Sequence, residues 1–152
     1  MIRKGKITDL IDLQKIMKSS LGFWQYSEND MIELIKHLNI TETFINDAII
    51  YVEENEGKIE GFFGIIPYDD LNEAKFYINP SNIKTGIGKR LWHHVIQDLE
   101  KMELDYITII IDGNAIGFYE KLGFIKIGEQ PSKLNNVNNE SYTPIMRYYL
   151  KK

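Results

Sequence analysis

The sequence predicts a single mixed α/β domain over residues 1–152. Three strand-like runs follow one another before residue 79, and a strongly periodic helix begins at residue 87. An almost uniformly apolar strand follows that helix at 105–111, as expected for a strand covered on both faces. This strand–helix–strand unit predicts a parallel pairing with a right-handed crossover, added to an otherwise antiparallel sheet.

Length and composition are those of a globular protein. The 152 residues are 43% hydrophobic and 26% charged, with a net charge of −4 that disfavours nucleic acid as a partner. With no cysteine and three poorly spaced histidines, we expect no metal cofactor. No apolar run reaches the roughly 20 residues that span a membrane, so we expect a cytoplasmic protein with no membrane partner.

The first third of the chain predicts a short strand and two amphipathic helices. Ile2 begins the strand, and apolar residues at helical spacing predict one helix from residue 10 and a second over 28–39. Ser27 with Asp30 resembles a capping box for the second helix. The aromatic loop 23–26 has two interpretations, the edge of the core or part of an acceptor pocket.

Strands and turns alternate in the remainder of the chain. The polar link 53–57 predicts a hairpin turn in which Asn55 and Gly57 supply the turn conformations. Gly123 can cap a short helix at 115–122 in a left-handed conformation. The predicted strands lie at 48–52, 58–66, 71–78, 105–111, 124–127 and 142–150, and a polar loop occupies 130–141.

A Gly-x-Gly turn joins the third of the consecutive strands to the long helix. Pro80 cannot donate to a sheet ladder, so the strand should end there. Gly86 and Gly88 allow a close backbone approach at a helix start, where unpaired amides and the helix dipole favour an anion. The neighbouring side chains that add positive charge or a hydroxyl are Lys84, Thr85, Lys89 and Arg90.

Spacing narrows the choice of nucleotide cofactor. A dinucleotide fingerprint needs a third glycine where Leu91 stands, and the Walker A pattern is absent. We therefore predict that the turn holds the pyrophosphate of some other nucleotide-containing cofactor. The alternative is an ordinary turn before a solvated, basic helix start.

Two segments resemble the GNAT superfamily of N-acetyltransferases. Residues 114–124 read Asn-Ala-Ile-Gly-Phe-Tyr-Glu-Lys-Leu-Gly-Phe, which is close to the family's Asn-Ala-x-x-Phe-Tyr-Glu-Lys-Leu-Gly-Phe run. The turn is similar to the family's Gln/Arg-x-x-Gly-x-Gly/Ala pattern, with Ile83 where Gln or Arg is expected. The tail at 128–132 and 144–146 looks like that of small, mostly uncharacterised bacterial members.

The resemblance implies a single-domain GNAT fold. That fold is a mixed, mostly antiparallel sheet of six to seven strands with about four helices, splayed in the middle where the cofactor binds. The cosubstrate would be acetyl-CoA, held by the strand edge at 76–78, by the turn and by the short helix. The residues implied in cofactor binding are Phe76, Tyr77, Ile78, Lys84, Thr85, Gly86, Ile87, Gly88, Lys89, Asn114 and Phe118.

The implied reaction is direct attack of a primary amine, from a small molecule or a peptide, on the acetyl thioester. Tyr119 is the candidate proton donor to the leaving sulfur, and its alternative role is a packed aromatic beside Phe118. Asn114 is either a helix cap or a partner for the pantetheine arm. No general base can be chosen among the carboxylates near the acceptor end, which are Glu60, Asp69, Asp70, Glu73 and Asp112.

Two further alternatives stay open. The fold could serve as a non-catalytic acyl-CoA-binding sensor or interaction module, an option that the altered position at Ile83 leaves open, whereas the intact Tyr119 favours the enzyme. Dimerisation through the last strands is common in the family, so a homodimer is allowed. The three histidines, His37, His93 and His94, are assigned no site role.

Overall fold

The computed structural model describes residues 1–23, 27–68, 70–83, 85–131 and 142–151. In these ranges the strands are β1 (Ile2–Lys4), β2 (Ile49–Asn55), β3 (Lys58–Ile66), β4 (Glu73–Ile78), β5 (Tyr106–Ile110), β6 (Ile125–Pro131) and β7 (Tyr142–Tyr149). The helices are α1 (Leu10–Phe23), α2 (Glu28–Leu38), α3 (Glu42–Asp47), α4 (Ile87–Glu100) and α5 (Ile116–Leu122). None of these helices combines the length and apolar character that crossing a membrane requires.

The strands form two sheets, and each ladder in them is antiparallel. The first sheet has the order β1-β2-β3-β4 and the second the order β5-β7-β6. The mixed α/β class and the splay are therefore confirmed, but the predicted parallel ladder between β4 and β5 is wrong. The stacked rings of Phe76 on β4 and Phe118 on α5 lie beside this break in the sheet, with centroids 4.5 Å apart.

The hairpin between β2 and β3 forms as predicted, with one change of residue. Glu56 and Gly57 have φ values of 53° and 76°, as a two-residue turn of the I′ type requires. The sequence pattern had assigned the first of these conformations to Asn55, which instead ends β2. A register shift between Glu53 and Glu54 leaves Glu60 of β3 without a directly opposed residue on β2, as a β-bulge does.

Two helices precede β2 after residue 26, where the sequence pattern predicts one. Ser27 caps α2 by accepting a hydrogen bond from the Asp30 amide at 3.1 Å, as expected. The additional helix is α3, in which the Thr41 hydroxyl accepts from the Phe44 amide at 3.1 Å. The aromatic loop 24–26 lies outside the described residues, so its two interpretations stay predictions.

The first sheet separates two clusters of buried apolar side chains, one on each of its faces. On β3, Phe62 packs with α1, α2 and α3, while Phe63 packs with α4 and the second sheet, and both rings are fully buried. From α4, Trp92 contacts both sheets, with its ring centroid 5.4 Å from Phe63 and 5.3 Å from Tyr148. Each such buried side chain contributes about 1.5–3 kcal/mol of transfer free energy, so α4 is firmly fixed and carries the turn before it. The buried residues of α4 are Ile87, Gly88, Leu91, Trp92, Val95, Ile96 and Leu99.

Candidate active site

A gap separates β4 from β5, and the two strands are joined beside Asn72. The Asn72 amide donates to the Thr108 carbonyl at 2.6 Å, and the Thr108 amide donates to Asn72 Oδ1 at 2.8 Å. Past this point the described strands share no ladder, because β4 pairs with β3 and β5 pairs with β7. One edge of β4 is therefore left open towards the gap.

The alternation of the β3–β4 ladder decides which backbone groups face the gap. The Asn79 amide donates to the Glu60 carbonyl at 2.8 Å, so this residue and every second one before it, including Tyr77, face β3. Phe76 and Ile78 lie between them and direct their N–H and C=O groups to the open edge. Of the three residues predicted to contact a cofactor arm through the backbone, Phe76 and Ile78 have the groups that face the open edge, and the backbone of Tyr77 pairs with β3.

The turn before α4 presents free amides at the end of this edge. Gly86 has a φ of 85° and is the N-cap of the helix, and the Arg90 amide makes the first helical bond to its carbonyl at 3.1 Å. The amides of Ile87, Gly88 and Lys89 precede that bond and have no partner within the helix. Three N–H groups and the positive end of the dipole therefore form a site for an anion.

The side chains predicted to assist this turn contribute unequally. Lys89 is exposed beside the amides, whereas the Thr85 hydroxyl donates to the Asn82 carbonyl at 2.6 Å and its hydrogen is used within the turn. Ile83 is partly buried and adds no charge. Lys84 lies outside the described residues, so its predicted contact stays a prediction.

Gly88 is where α4, β4 and α5 approach most closely. A Cβ atom at this position would stand 2.7 Å from Phe76 Cζ and 2.7 Å from Phe118 Cε1. The two rings are stacked, with an interplanar angle of 7°. Because residue 88 is glycine, the first turn of α4 can pack directly against this ring pair. This contact fixes the position of the free amides relative to the gap.

Tyr119 projects from α5 into an aromatic cluster and is 5% exposed. Its ring centroid lies 6.4 Å from Phe63, 5.1 Å from Phe118 and 5.2 Å from Phe124. Burial raises the pKa of Tyr119, and the nearby phenol of Tyr77 raises it further. The packed position therefore also keeps the hydroxyl protonated and able to donate.

The Tyr77 side chain is a functional candidate that the sequence did not reveal. It lies on the face of β4 opposite Phe76, with its ring 5.8 Å from Phe62. Burial raises the pKa of Tyr77, and the Asp112 carboxylate raises it further. The Tyr77 phenol in turn raises the pKa of Tyr119, so the Asp112 charge acts on Tyr77 and Tyr77 acts on Tyr119.

Asp112, rather than Asn114, caps the segment after β5. Asp112 Oδ1 accepts from the Asn114 amide at 2.9 Å and begins a short 3-10 turn, Gly113–Ala115, ahead of α5. The cap alternative for Asn114 is therefore wrong. Asn114 is exposed, and its contact with the pantetheine arm stays a prediction.

The other carboxylates named as candidate bases have different surroundings. Glu60 accepts hydrogen bonds from Asn79 and Asn82, and Glu73 lies 3.7 Å from the buried Nζ of Lys75. Asp70 is exposed, and Asp69 lies outside the described residues. Of the described candidates, Asp112 is the one whose charge raises the pKa of Tyr77.

Of the histidines of α4, His93 is exposed and His94 is half-buried. His94 Nδ1 lies 3.0 Å from the Arg90 carbonyl, and His93 Nε2 lies 3.3 Å from Gln97 Nε2. The side chain of His37 is not among those described. In the described part of the chain, no group of three His, Cys, Asp or Glu residues is arranged to hold a metal ion.

These features define an α/β protein with a split sheet and an anion-binding helix terminus at the split. The family model for the acetyltransferase (GNAT) domain matches residues 46–126, just over half of the chain. The chain belongs to the GNAT family, which confirms the resemblance seen in its motifs.

Curated relatives match part of the chain. An uncharacterized N-acetyltransferase, ycf52, of Porphyra purpurea is 41% identical over 81 residues, which cover 52% of this chain and 47% of the relative. Human N-acetyltransferase 8B is 32% identical over 103 residues, 60% of this chain and 45% of the relative. The chain thus spans about half the length of the curated relatives it matches.

Solved structures share the fold along nearly the whole chain. A PaiA N-acetyltransferase from Thermoplasma acidophilum, in complex with coenzyme A, gives a TM-score of 0.77 at 19% identity and 98% coverage of both chains. The ribosomal-protein-S18-alanine N-acetyltransferase of Escherichia coli gives 0.71 at 18% identity, with 100% of this chain and 94% of that chain covered. At these identities the likeness shows the fold.

Proposed function

We propose that this protein is an acetyl-CoA-dependent N-acetyltransferase that moves the acetyl group directly from the thioester to a primary amine. The observation that carries the proposal is the gap between β4 and β5, with free helix amides at one end and a buried, protonated phenol, Tyr119, beside it. Family membership and the CoA-bound structural neighbours support the same cosubstrate.

Acetyl-CoA would bind through groups that already face the gap. The amides of Ile87, Gly88 and Lys89 would hold the pyrophosphate. The open backbone groups of Phe76 and Ile78 would pair with the amides of the pantetheine arm, as an added strand does. One of these two N–H groups would also donate to the thioester carbonyl oxygen and stabilise the charge that develops there.

The transfer needs a base, an oxyanion site and an acid. The neutral amine attacks the carbonyl carbon, the C–N bond forms, and the carbonyl electrons move to oxygen. When the C–O double bond re-forms, the C–S bond breaks and Tyr119 gives its proton to the sulfur. The amine loses one proton as the sulfur gains one, and we propose Asp112, whose charge raises the pKa of Tyr77, as the carboxylate that accepts the amine proton. Exchange of one proton with solvent at Asp112 and at Tyr119 then restores both groups.

The acceptor is expected to be a small molecule or a peptide amine. By their names, structural neighbours include enzymes for a ribosomal-protein alanine and for an aminoglycoside. The sequence segments expected to bound the acceptor pocket are 23–26, α2 and 130–141. A single domain over 1–152, a cytoplasmic location, a bacterial source, a homodimer and the absence of a nucleic-acid partner all stay predictions.

The proposal is tested by calorimetric titration with acetyl-CoA and CoA, followed by thiol release over a panel of amines. Tyr119→Phe should bind acetyl-CoA like the wild type and release thiol roughly a hundredfold more slowly. Tyr149 is an exposed tyrosine of β7, and Tyr149→Phe is the matched control. It should leave both the affinity for acetyl-CoA and the rate of thiol release unchanged. Absence of acetyl-CoA binding would overturn the proposal, and binding without turnover on any amine would favour the sensor alternative.

A further inference from the structure

We propose that two carboxylates of the β2–β3 hairpin, Glu53 and Glu60, are positioning residues that brace the phosphate turn from beneath. The phosphate turn is defined here as residues 79–86. The proposal rests on the proposed function, because it assigns the turn to the CoA pyrophosphate. It adds a reason why a turn with Ile83, in place of a polar or charged side chain, is still shaped to bind an anion.

Glu60 braces the first half of the turn. Its Oε2 accepts from Asn79 Nδ2 at 3.2 Å and from Asn82 Nδ2 at 2.5 Å. The Asn82 carbonyl then accepts from the Thr85 amide at 3.3 Å and from the Thr85 hydroxyl at 2.6 Å. A continuous chain of hydrogen bonds therefore runs from a β3 carboxylate to the residue before Gly86.

Glu53 braces the second half through Arg90. Glu53 is 6% exposed, and its Oε1 accepts from Arg90 Nη2 at 3.0 Å. Arg90 Nη1 donates to the Thr85 carbonyl at 3.0 Å, and a Cβ atom on Gly86 would stand 3.2 Å from the same nitrogen. The guanidinium thus lies against the turn, held on its other side by a buried carboxylate.

This arrangement changes the role of Arg90. From sequence, its charge is grouped with the basic side chains available to a phosphate. In the structure, one guanidinium nitrogen is committed to Glu53 and another to the Thr85 carbonyl. Arg90 donates a hydrogen bond to the Thr85 carbonyl oxygen, whose partial negative charge would repel a phosphate, and it leaves the recognition itself to the amides of residues 87–89.

Bracing predicts a selective effect on affinity. Without these hydrogen bonds, the phosphate turn must become ordered when the pyrophosphate binds, and the free-energy cost of that ordering reduces the affinity for acetyl-CoA. A ligand that lacks the nucleotide does not use the turn and should be unaffected. The acetyl transfer step, which takes place at the thioester, should also be unaffected once the enzyme is saturated.

The test compares acetyl-CoA with acetyl-pantetheine, which has the thioester and the arm but no pyrophosphate. In Glu60→Ala and Glu53→Ala, the Kd for acetyl-CoA should rise roughly tenfold. The Kd for acetyl-pantetheine and the kcat at saturating acetyl-CoA should stay at wild-type values. Glu60→Gln retains an acceptor oxygen and should recover most of the affinity, and Glu56→Gln, at the exposed hairpin tip, is the matched control.

Asn82→Ala provides a second route if either alanine variant of the hairpin fails to fold. It removes one hydrogen bond to Glu60 from the turn itself, and the same selective loss of acetyl-CoA affinity is expected. Equal weakening of both ligands, or unchanged Kd values in all variants, would overturn the bracing proposal alone. Failure of the wild type to bind acetyl-CoA would overturn the proposed function, and the bracing proposal with it.

Discussion

Replacing Gly88 with alanine should destabilise the protein and weaken acetyl-CoA binding. The added Cβ would stand 2.7 Å from a carbon of Phe76 and from a carbon of Phe118, and both rings are held by their mutual stacking. Overpacking of this kind costs about 1–3 kcal/mol. Because the clash is with two rings at once, we take the upper part of this range, about 2–3 kcal/mol. Alanine recovers up to about 1 kcal/mol of helix propensity, so the net loss should be about 1–2 kcal/mol.

Urea denaturation measures this change as a lower midpoint with an unchanged slope. In a thermal scan the same loss lowers Tm by about 2–8 °C for a chain of this size. Because the first turn of α4 must shift to relieve the contact, the Kd for acetyl-CoA should rise as well. The affinity is measured by calorimetry at a temperature where the variant is fully folded.

Gly117 provides a matched control, since it is also the second residue of its helix. A Cβ atom there meets nothing within 4 Å, so Gly117→Ala should be neutral or up to about 1 kcal/mol stabilising. If Gly88→Ala were as stable as Gly117→Ala, the close approach of α4 to the ring pair would be refuted.

Two other changes probe the frame around the site. Asn72→Ala leaves the buried Thr108 amide without its side-chain acceptor and should cost about 1–3 kcal/mol in urea unfolding, and a loss well below this range would contradict the role of Asn72 in joining the sheets. Tyr51 donates to Asp98 Oδ2 at 2.8 Å, and burial together with this bond raises the pKa of Tyr51 to about 12. The folded-state pKa lies above the usual value of 10.0, so the stability that Tyr51 adds over Tyr51→Phe is complete below pH 10 and lost as the pH rises through about 12. The difference in free energy of unfolding between the wild type and Tyr51→Phe, measured in urea at successive pH values, should therefore shrink as the pH rises. A difference that stays constant would contradict this prediction.

Elements with a strong local signal are predictable from the sequence. In α4 the buried residues recur at helical spacing over 14 residues, which specifies both the helix and its inward face. The six residues of α3 make fewer than two turns, so no comparable period exists and the helix is missed. The cap at Thr41 is visible in the sequence, but a single cap does not predict a helix.

Features that depend on distant parts of the chain are not predictable in this way. The Phe76–Phe118 stack beside the gap between β4 and β5 joins residues that are 42 positions apart in sequence (118 − 76), so no local pattern predicts it. For the site, the Gly-x-Gly turn and Tyr119 are recognisable as local motifs. Glu53 and Glu60 resemble solvated hairpin carboxylates until the structure shows Glu60 bonded to the phosphate turn and Glu53 bonded to Arg90 beside it.

The contacts of Trp92 have a consequence for how a cofactor could enter. The indole lies between Phe63 of the first sheet and Tyr148 of the second, and aromatic rings packed at interior density resist compression. The two sheets are therefore held at a nearly constant separation, and the opening between their edges is preorganised. A thioester arm entering this opening would impose little conformational entropy cost on the sheets, so its affinity would depend chiefly on the hydrogen bonds that it makes.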